Sequence, residues 1–149
     1  RECTCSTLQI QRYRAKISGP LLDRIDLHLE VPAVPYKDLS GISEGAASEE
    51  ILKRVMAARK VQEQRLARTK IFTNARMTSR HIKQFCEMDA ESSSLMERAM
   101  ERFGLSARAH ARILKIARTI ADLESSPDIR PPHVAEAIQY RTLDRKILR

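Results

Sequence analysis

No tryptophan occurs among the 149 residues, and aromatic side chains make up only 4%. That scarcity argues against stacking of bases on an aromatic platform as the main activity. Cysteine is sparse and odd in number, at Cys3, Cys5 and Cys86. Such a set excludes a disulfide framework and points to a reducing, cytoplasmic compartment. No apolar run approaches the roughly 20 residues of a membrane helix, so no membrane partner is expected. Arg1-Glu2-Cys3-Thr4-Cys5 offers no apolar stretch for a signal peptide. With no initiator Met, the chain is expected to be a fragment of a longer protein. His28, His81, His110 and His133 are scattered without ligand spacing. Nothing resembles a nucleophile–base pair for covalent catalysis.

What is abundant is charge. Hydrophobic residues make up 42% and charged residues 31%, the balance of a globular chain, with a formal net charge of +8. The excess is local. Residues 53–83 hold ten Lys and Arg against one acid, Glu63. Arg59, Lys60, Arg65, Arg68 and Lys70 form its centre and are the candidate contacts to DNA. The surface reads either as polyanion-facing or as a solvated helix face.

Periodicity divides the chain. Ser6 can cap a helix carrying Leu8, Ile10, Tyr13 and Ile17, and Leu21 to Ile25 reads as a short helical turn. Asp26-Leu27-His28-Leu29-Glu30-Val31 alternates polar and apolar, which predicts a strand stopped by Pro32. A lone strand needs a sheet supplied from elsewhere. Residues 36–47, rich in small residues, read as a linker. From residue 48 the pattern is helical. Ser48 is the expected N-cap of a helix with Ile51, Leu52, Val55, Ala58 and Leu66 inward. Thr78 or Ser79 opens a short helix, Leu95 to Phe103 gives a second stripe ended by Gly104, Ser106 caps a long helix to about Leu123, and Pro131-Pro132 opens the last. The expected fold is mainly α: residues 1–35 as a short helix–strand remnant of an α/β core, then a helical bundle over 48–149. The bundle is expected to fold independently, with 1–31 poorly ordered.

The segment Gly19-Pro20-Leu21-Leu22-Asp23-Arg24-Ile25-Asp26-Leu27 is the most specific. Taken by itself, Arg24 is a salt-bridge partner of Asp23 or Asp26. The segment also resembles the end of the ATPase core in magnesium-chelatase-like AAA+ ATPases. The likeness recurs in chain order at Ala58-Arg59-x-x-Gln62-x-x-Arg65, Asn74-Ala75, Gly104-Leu105-Ser106-Ala107-Arg108-Ala109, Ala117-Arg118-Thr119-Ile120-Ala121-Asp122-Leu123 and His133-x-Ala135-Glu136-Ala137-Ile138-Gln139-Tyr140-Arg141.

The resemblance implies that Arg24 is the arginine finger reaching a neighbouring subunit's ATP site. It implies that Arg108 is the sensor-2 arginine of a helical lid. Positioned guanidinium groups stabilise a transferring phosphoryl group. The alternative for Arg108 is a solvated face shared with Arg112, Lys115 and Thr119. The chain has no Gly-x-x-x-x-Gly-Lys-Ser/Thr loop and no apolar strand ending in paired acids. It therefore lacks the Walker A and Walker B motifs and is expected to be inactive alone. ATP and Mg²⁺ belong to the parent, which the family implies is a homo-oligomeric ring, expected to be a hexamer. DNA is the implied track, in branch migration during competence and recombination. The alternatives are a magnesium chelatase ATPase subunit that drives metal insertion into porphyrin, and a stand-alone helical DNA-binding module. Cys3-x-Cys5 is either half of a Zn²⁺ site, which the family completes upstream, or a pair of plain thiols.

Overall fold

Ser6 opens the first helix with a reciprocal cap. Its Oγ accepts from the Gln9 N–H at 3.4 Å, and its own N–H donates to Gln9 Oε1 at 2.8 Å. The computed structural model describes residues 4–22, 24–34 and 45–141. In order, the helices are α1 (Thr7–Arg14), α2 (Gly19–Leu22), α3 (Ser48–Leu66), a 3₁₀ turn (Asn74–Arg76), α4 (Ser79–Phe85), α5 (Ala90–Phe103), α6 (Ala107–Leu123) and α7 (Pro131–Gln139). Most starts and stops are those the caps dictate. Ser106 Oγ accepts from Ala109 N–H at 3.2 Å. Gly104 ends α5 at φ 58°, a left-handed conformation in which a Cβ is strained.

Helix α6 is the axis of the bundle. It packs against α7 and α3, and also against α4 and the 3₁₀ turn. Ala109, Ile113, Ala117 and Ala121 are completely buried along it. The small alanines let neighbouring backbones approach closely, while Leu66, Met96, Ile129, Val134 and Ile138 fill the space between helices. Each fully buried Leu or Ile contributes roughly 1.5–3 kcal/mol relative to exposure. Met88 and Ile129 form one isolated parallel bridge that ties the approaches to α5 and α7 together.

Four expectations are corrected. The strand at 26–31 is absent, and no strand occurs among the described residues. A lone strand has no edge to pair with, so its backbone turns to the helices: His28 N–H donates to Tyr140 O at 2.8 Å, and the Arg141 guanidinium donates to Ile25 O. Ser48 is the first helical residue, not the cap; Ala47 holds the cap position without a side-chain bond. Ile51, Leu52 and Val55 are exposed, and burial on α3 begins at Ala58 and continues through Gln62 to Leu66. Helix α1 ends at Arg14, short of Ile17, with no buried residue. Most of the expected linker, residues 35–44, lies outside the described residues.

Cys86 behaves as the core residue its neighbours suggest. It is buried, 3.8 Å from the Met77 sulfur, and burial pushes its thiol up from 9.0 to about 11. The folded chain holds that proton between pH 9.0 and about 11, where the unfolded chain releases it, so Cys86 contributes stability that is lost as pH rises through this window. At pH 8 the exposed Cys5 is expected to alkylate readily with iodoacetamide while Cys86 stays unmodified until denaturant is added. Site-resolved mass spectrometry checks this; equal rates at the two cysteines in the folded chain would contradict it.

Candidate functional site

Three cations lie along one side of α6 at helical spacing: Arg108, Arg112 and Lys115. They line a cleft of about 410 Å³ whose opposite wall is Thr78, Ser79 and Ile82. Arg108 stands in the first turn of α6, exposed, and among the described residues it makes no ion pair. The other two are engaged. Lys115 Nζ donates to Ala75 O at 3.0 Å, and Arg112 pairs with Asp26. Partial burial, reinforced by Arg112, holds the Lys115 ammonium below its ordinary pKa. This side of α6 lines a cationic cleft with one carboxylate, Asp26, at its edge, and Arg108 itself is exposed.

Asp26 bears on the reading of Arg24, two residues before it. By sequence alone, Arg24 is expected to pair with Asp23 or Asp26. Asp23 lies outside the described residues, and the carboxylate of Asp26 is taken by Arg112. Arg24 is exposed at the end of the turn after α2, its N–H bonded to Leu21 O at 3.0 Å. The segment just behind it is tied to the bundle by the Asp26–Arg112 pair and by the His28 and Arg141 backbone bonds.

Further along α6 lies a buried polar network. Asp122 is fully covered and receives both ends of the Arg65 guanidinium, at 2.9 Å from Nη1 to Oδ2 and through Nη2 to Oδ1. Arg118 Nε donates to Asp122 Oδ1 at 3.1 Å, and its two terminal nitrogens donate to Pro127 O at 2.8 Å and Ser126 O at 2.7 Å. Asn74 Nδ2 donates to Asp122 Oδ2 at 2.8 Å and to Thr119 Oγ1 at 3.1 Å, and Gln62 Oε1 accepts from the Asn74 N–H. Burial pushes the Arg118 guanidinium down from its ordinary value, and Asp122 opposes that shift.

The network corrects one candidate DNA contact. Arg65 is removed from the basic set, because its guanidinium is bonded to Asp122 and its side chain is only 15% exposed. Arg59, Lys60, Arg68 and Lys70 are exposed. Arg59 reaches back to Gln62 Oε1 at 3.3 Å.

Residues 45–141 match the family model described as magnesium chelatase, subunit ChlI C-terminal, and residues 1–39 match the model for magnesium chelatase, subunit ChlI. The chain belongs to the magnesium chelatase ChlI family. It is 39% identical over 141 residues to the competence protein ComM of Haemophilus influenzae. It is 42% identical over 145 residues to the uncharacterized protein YifB of Escherichia coli. A more distant relative, the uncharacterized protein Rv2897c of Mycobacterium tuberculosis, is 30% identical over 143 residues. These alignments cover 94%, 97% and 95% of the chain, but the chain spans only 27–28% of the relatives' length.

In this magnesium chelatase family chain, several of the motifs that carry the resemblance meet in the Asp122 network. Gln62, Arg65, Asn74, Arg118, Thr119 and Asp122 come from three separated stretches and meet at one point. Apart from Arg65, read as a candidate DNA contact, the sequence gives these residues no role. The available signal is an Arg–Asp pair at i,i+4 on an otherwise apolar helix face, at Arg118 and Asp122. Arg112 and Lys115 likewise pass for solvated neighbours of Arg108 in the sequence, although their spacing already sets them on one face.

Cys3 lies outside the described residues and Cys5 is exposed. Among the described residues, no group of three or more His, Cys, Asp or Glu is placed to hold a metal ion. No helix of the described residues is long and apolar enough to cross a membrane.

Proposed function

We propose that this chain is the C-terminal part of a ring-forming AAA+ ATPase of the ComM type that moves on DNA. In this reading residues 1–35 end the ATPase core, 36–47 link, and 48–149 form the lid. The observation that carries the proposal is the cleft where Arg108 stands with Arg112 and Lys115. Asp26 neutralises Arg112, and the exposed Arg108 with Lys115, facing the Thr78 and Ser79 hydroxyls, suits a phosphate-bearing ligand. ATP in the parent supplies the phosphoanhydride bond that is cleaved. This chain contributes charge to that reaction: Arg108 from the lid to its own subunit's nucleotide, and Arg24 across the interface to a neighbour's. No ligand set for Mg²⁺ is assigned to these residues. One relative is named competence protein ComM, and the DNA assignment takes competence in its sense of DNA uptake. Arg59, Lys60, Arg68 and Lys70 are the proposed phosphate contacts, since neutralising phosphates supplies most non-specific affinity.

The test is Arg108→Ala in the full-length protein. ATP turnover is expected to fall by about tenfold or more, with weaker nucleotide affinity, since a charge-assisted hydrogen bond contributes roughly 1.5–3 kcal/mol. Steady-state hydrolysis and nucleotide titration read the two effects separately. Wild-type turnover and affinity would return Arg108 to the solvated-face reading.

A further inference from the structure

A second basic concavity lies away from the Arg108 cleft. The loop leaving α3 and the outer side of α4 enclose a space of about 720 Å³. Its cations are Arg65, Arg68, Lys70 and Arg80, and no acid lines it. Asp122 neutralises Arg65, so Arg68, Lys70 and Arg80, all exposed, set the field of the cleft. Like charges gathered around a concavity repel one another and focus a positive potential into it. The natural occupant is a polyanion.

Rings accompany the charges. His81 and Phe85 line the same cleft, with centroids 6.4 Å apart and planes 17° from parallel. The Thr78 N–H donates to His81 Nδ1 at 3.2 Å, which fixes the ring and leaves Nε2 as its donor in the neutral form. Phe72, two residues beyond Lys70 on the same loop, is 74% exposed. The chain has only three phenylalanines, and two of them, Phe72 and Phe85, belong to this loop and helix. A duplex hides its base faces in its own stack and offers this surface little but phosphate. A single strand offers phosphates to the cations and unpaired bases to the rings and to Arg planes.

We infer that the cleft between the α3–α4 loop and α4 binds single-stranded DNA, holding phosphates with Arg68, Lys70 and Arg80 while a base just outside the cleft stacks on the exposed ring of Phe72. The inference rests on the DNA reading above and deepens it: the lid itself grips the strand, and it grips the unpaired form. Arg80 belongs to the basic stretch 53–83 but not to the five candidate contacts read from the sequence, and the fold is what sets it and the rings beside Arg68 and Lys70.

The test uses the 149-residue chain, a fluorescein-labelled 20-nucleotide dT strand and a labelled 20-base-pair duplex, with anisotropy followed across a salt series. The single strand is expected to bind several-fold more tightly than the duplex. Arg68→Glu with Arg80→Glu is expected to weaken single-strand binding about tenfold or more. The same pair is expected to flatten the slope of log affinity against log salt by about 0.7 for each phosphate no longer neutralised. Phe72→Ala is expected to cost roughly fivefold or more on the single strand, as one stacked base contributes about 1–3 kcal/mol, and to leave duplex binding unchanged. All three side chains are exposed, and unchanged melting curves confirm that the variants fold; Arg68→Gln with Arg80→Gln serves if the charge reversals do not. Equal or tighter duplex binding overturns the inference, as does wild-type affinity in the cleft variants. Arg59→Glu with Lys60→Glu separates the two readings. If that pair weakens DNA binding and the cleft pair does not, the DNA reading stands and the cleft falls. If neither oligonucleotide binds, both fall.

Discussion

Replacing Arg24 by Ala in the full-length protein is expected to leave ATP binding nearly intact and to depress turnover strongly. Arginine fingers in phosphoryl-transfer enzymes contribute roughly 10³–10⁵ in rate. The effect falls on turnover because the finger acts on charge that develops as the phosphoryl group moves, not on the resting nucleotide. The geometry makes Arg24 suitable: it is exposed, and the one described carboxylate close to it in sequence, Asp26, is held by Arg112. Arg24→Lys is expected to rescue poorly, because an ammonium cannot reproduce the planar fork of a guanidinium. Mixing decides whether it acts in trans. An Arg24→Ala subunit with an intact phosphate loop is expected to regain activity beside a subunit with Arg24 and a broken loop. Failure to complement, with co-assembly demonstrated, would reduce Arg24 to an ordinary surface cation.

Asp122→Ala is expected to be the most destabilising single substitution among those considered, by about 3–5 kcal/mol. Asp122 is fully covered and holds Arg65, Arg118 and Asn74 at once. Removing it leaves a buried Arg118 without its carboxylate and the Arg65 guanidinium pointing into the space left behind. Total stability of a domain this size is roughly 5–15 kcal/mol, so the loss takes a large share of it. A fall in melting temperature of about 10 °C or more follows. Asp122→Asn keeps the shape and one acceptor oxygen, and is expected to fall between wild type and Ala. Arg65→Met is expected to cost less than Asp122→Ala, because Arg118 and Asn74 still satisfy the carboxylate. Urea titration with an unchanged slope reads these differences as stability. Asp122→Ala with wild-type stability would show that the network positions side chains without holding the helices together.

That network also separates what was legible in the residues from what was not. Ser6, Ser106 and Gly104 act through groups three or four positions away, so their helix ends could be placed without any tertiary information. The apolar stripes of α5, α6 and α7 were equally plain, because burial repeats with the helical period and these helices are covered along their length. Family membership was legible for a different reason: several weak motifs in a fixed order are jointly specific. Two errors share one cause. The alternation at 26–31 and the stripe at Ile51, Leu52 and Val55 each describe a face suited to burial, and periodicity cannot say whether a partner is there to bury it. In the fold His28 of the 26–31 segment found a backbone partner at Tyr140, the Arg141 guanidinium holds the neighbouring Ile25 carbonyl, and the first turns of α3 are left exposed.

Sequence by itself determined the mainly helical fold, the helix ends at Gly104 and Ser106 and the Pro131 start, the concentration of positive charge, and the family. Only the tertiary structure decided which of those charges are free. Arg65 and Arg68 are three residues apart on one basic stretch, yet the first is bonded to Asp122 while the second lines an open cleft with Arg80. The physical reason is that a guanidinium's role depends on the nearest carboxylate in space. That carboxylate lies 57 positions away along the chain, and only the packing of α3 against α6 brings it within hydrogen-bonding reach.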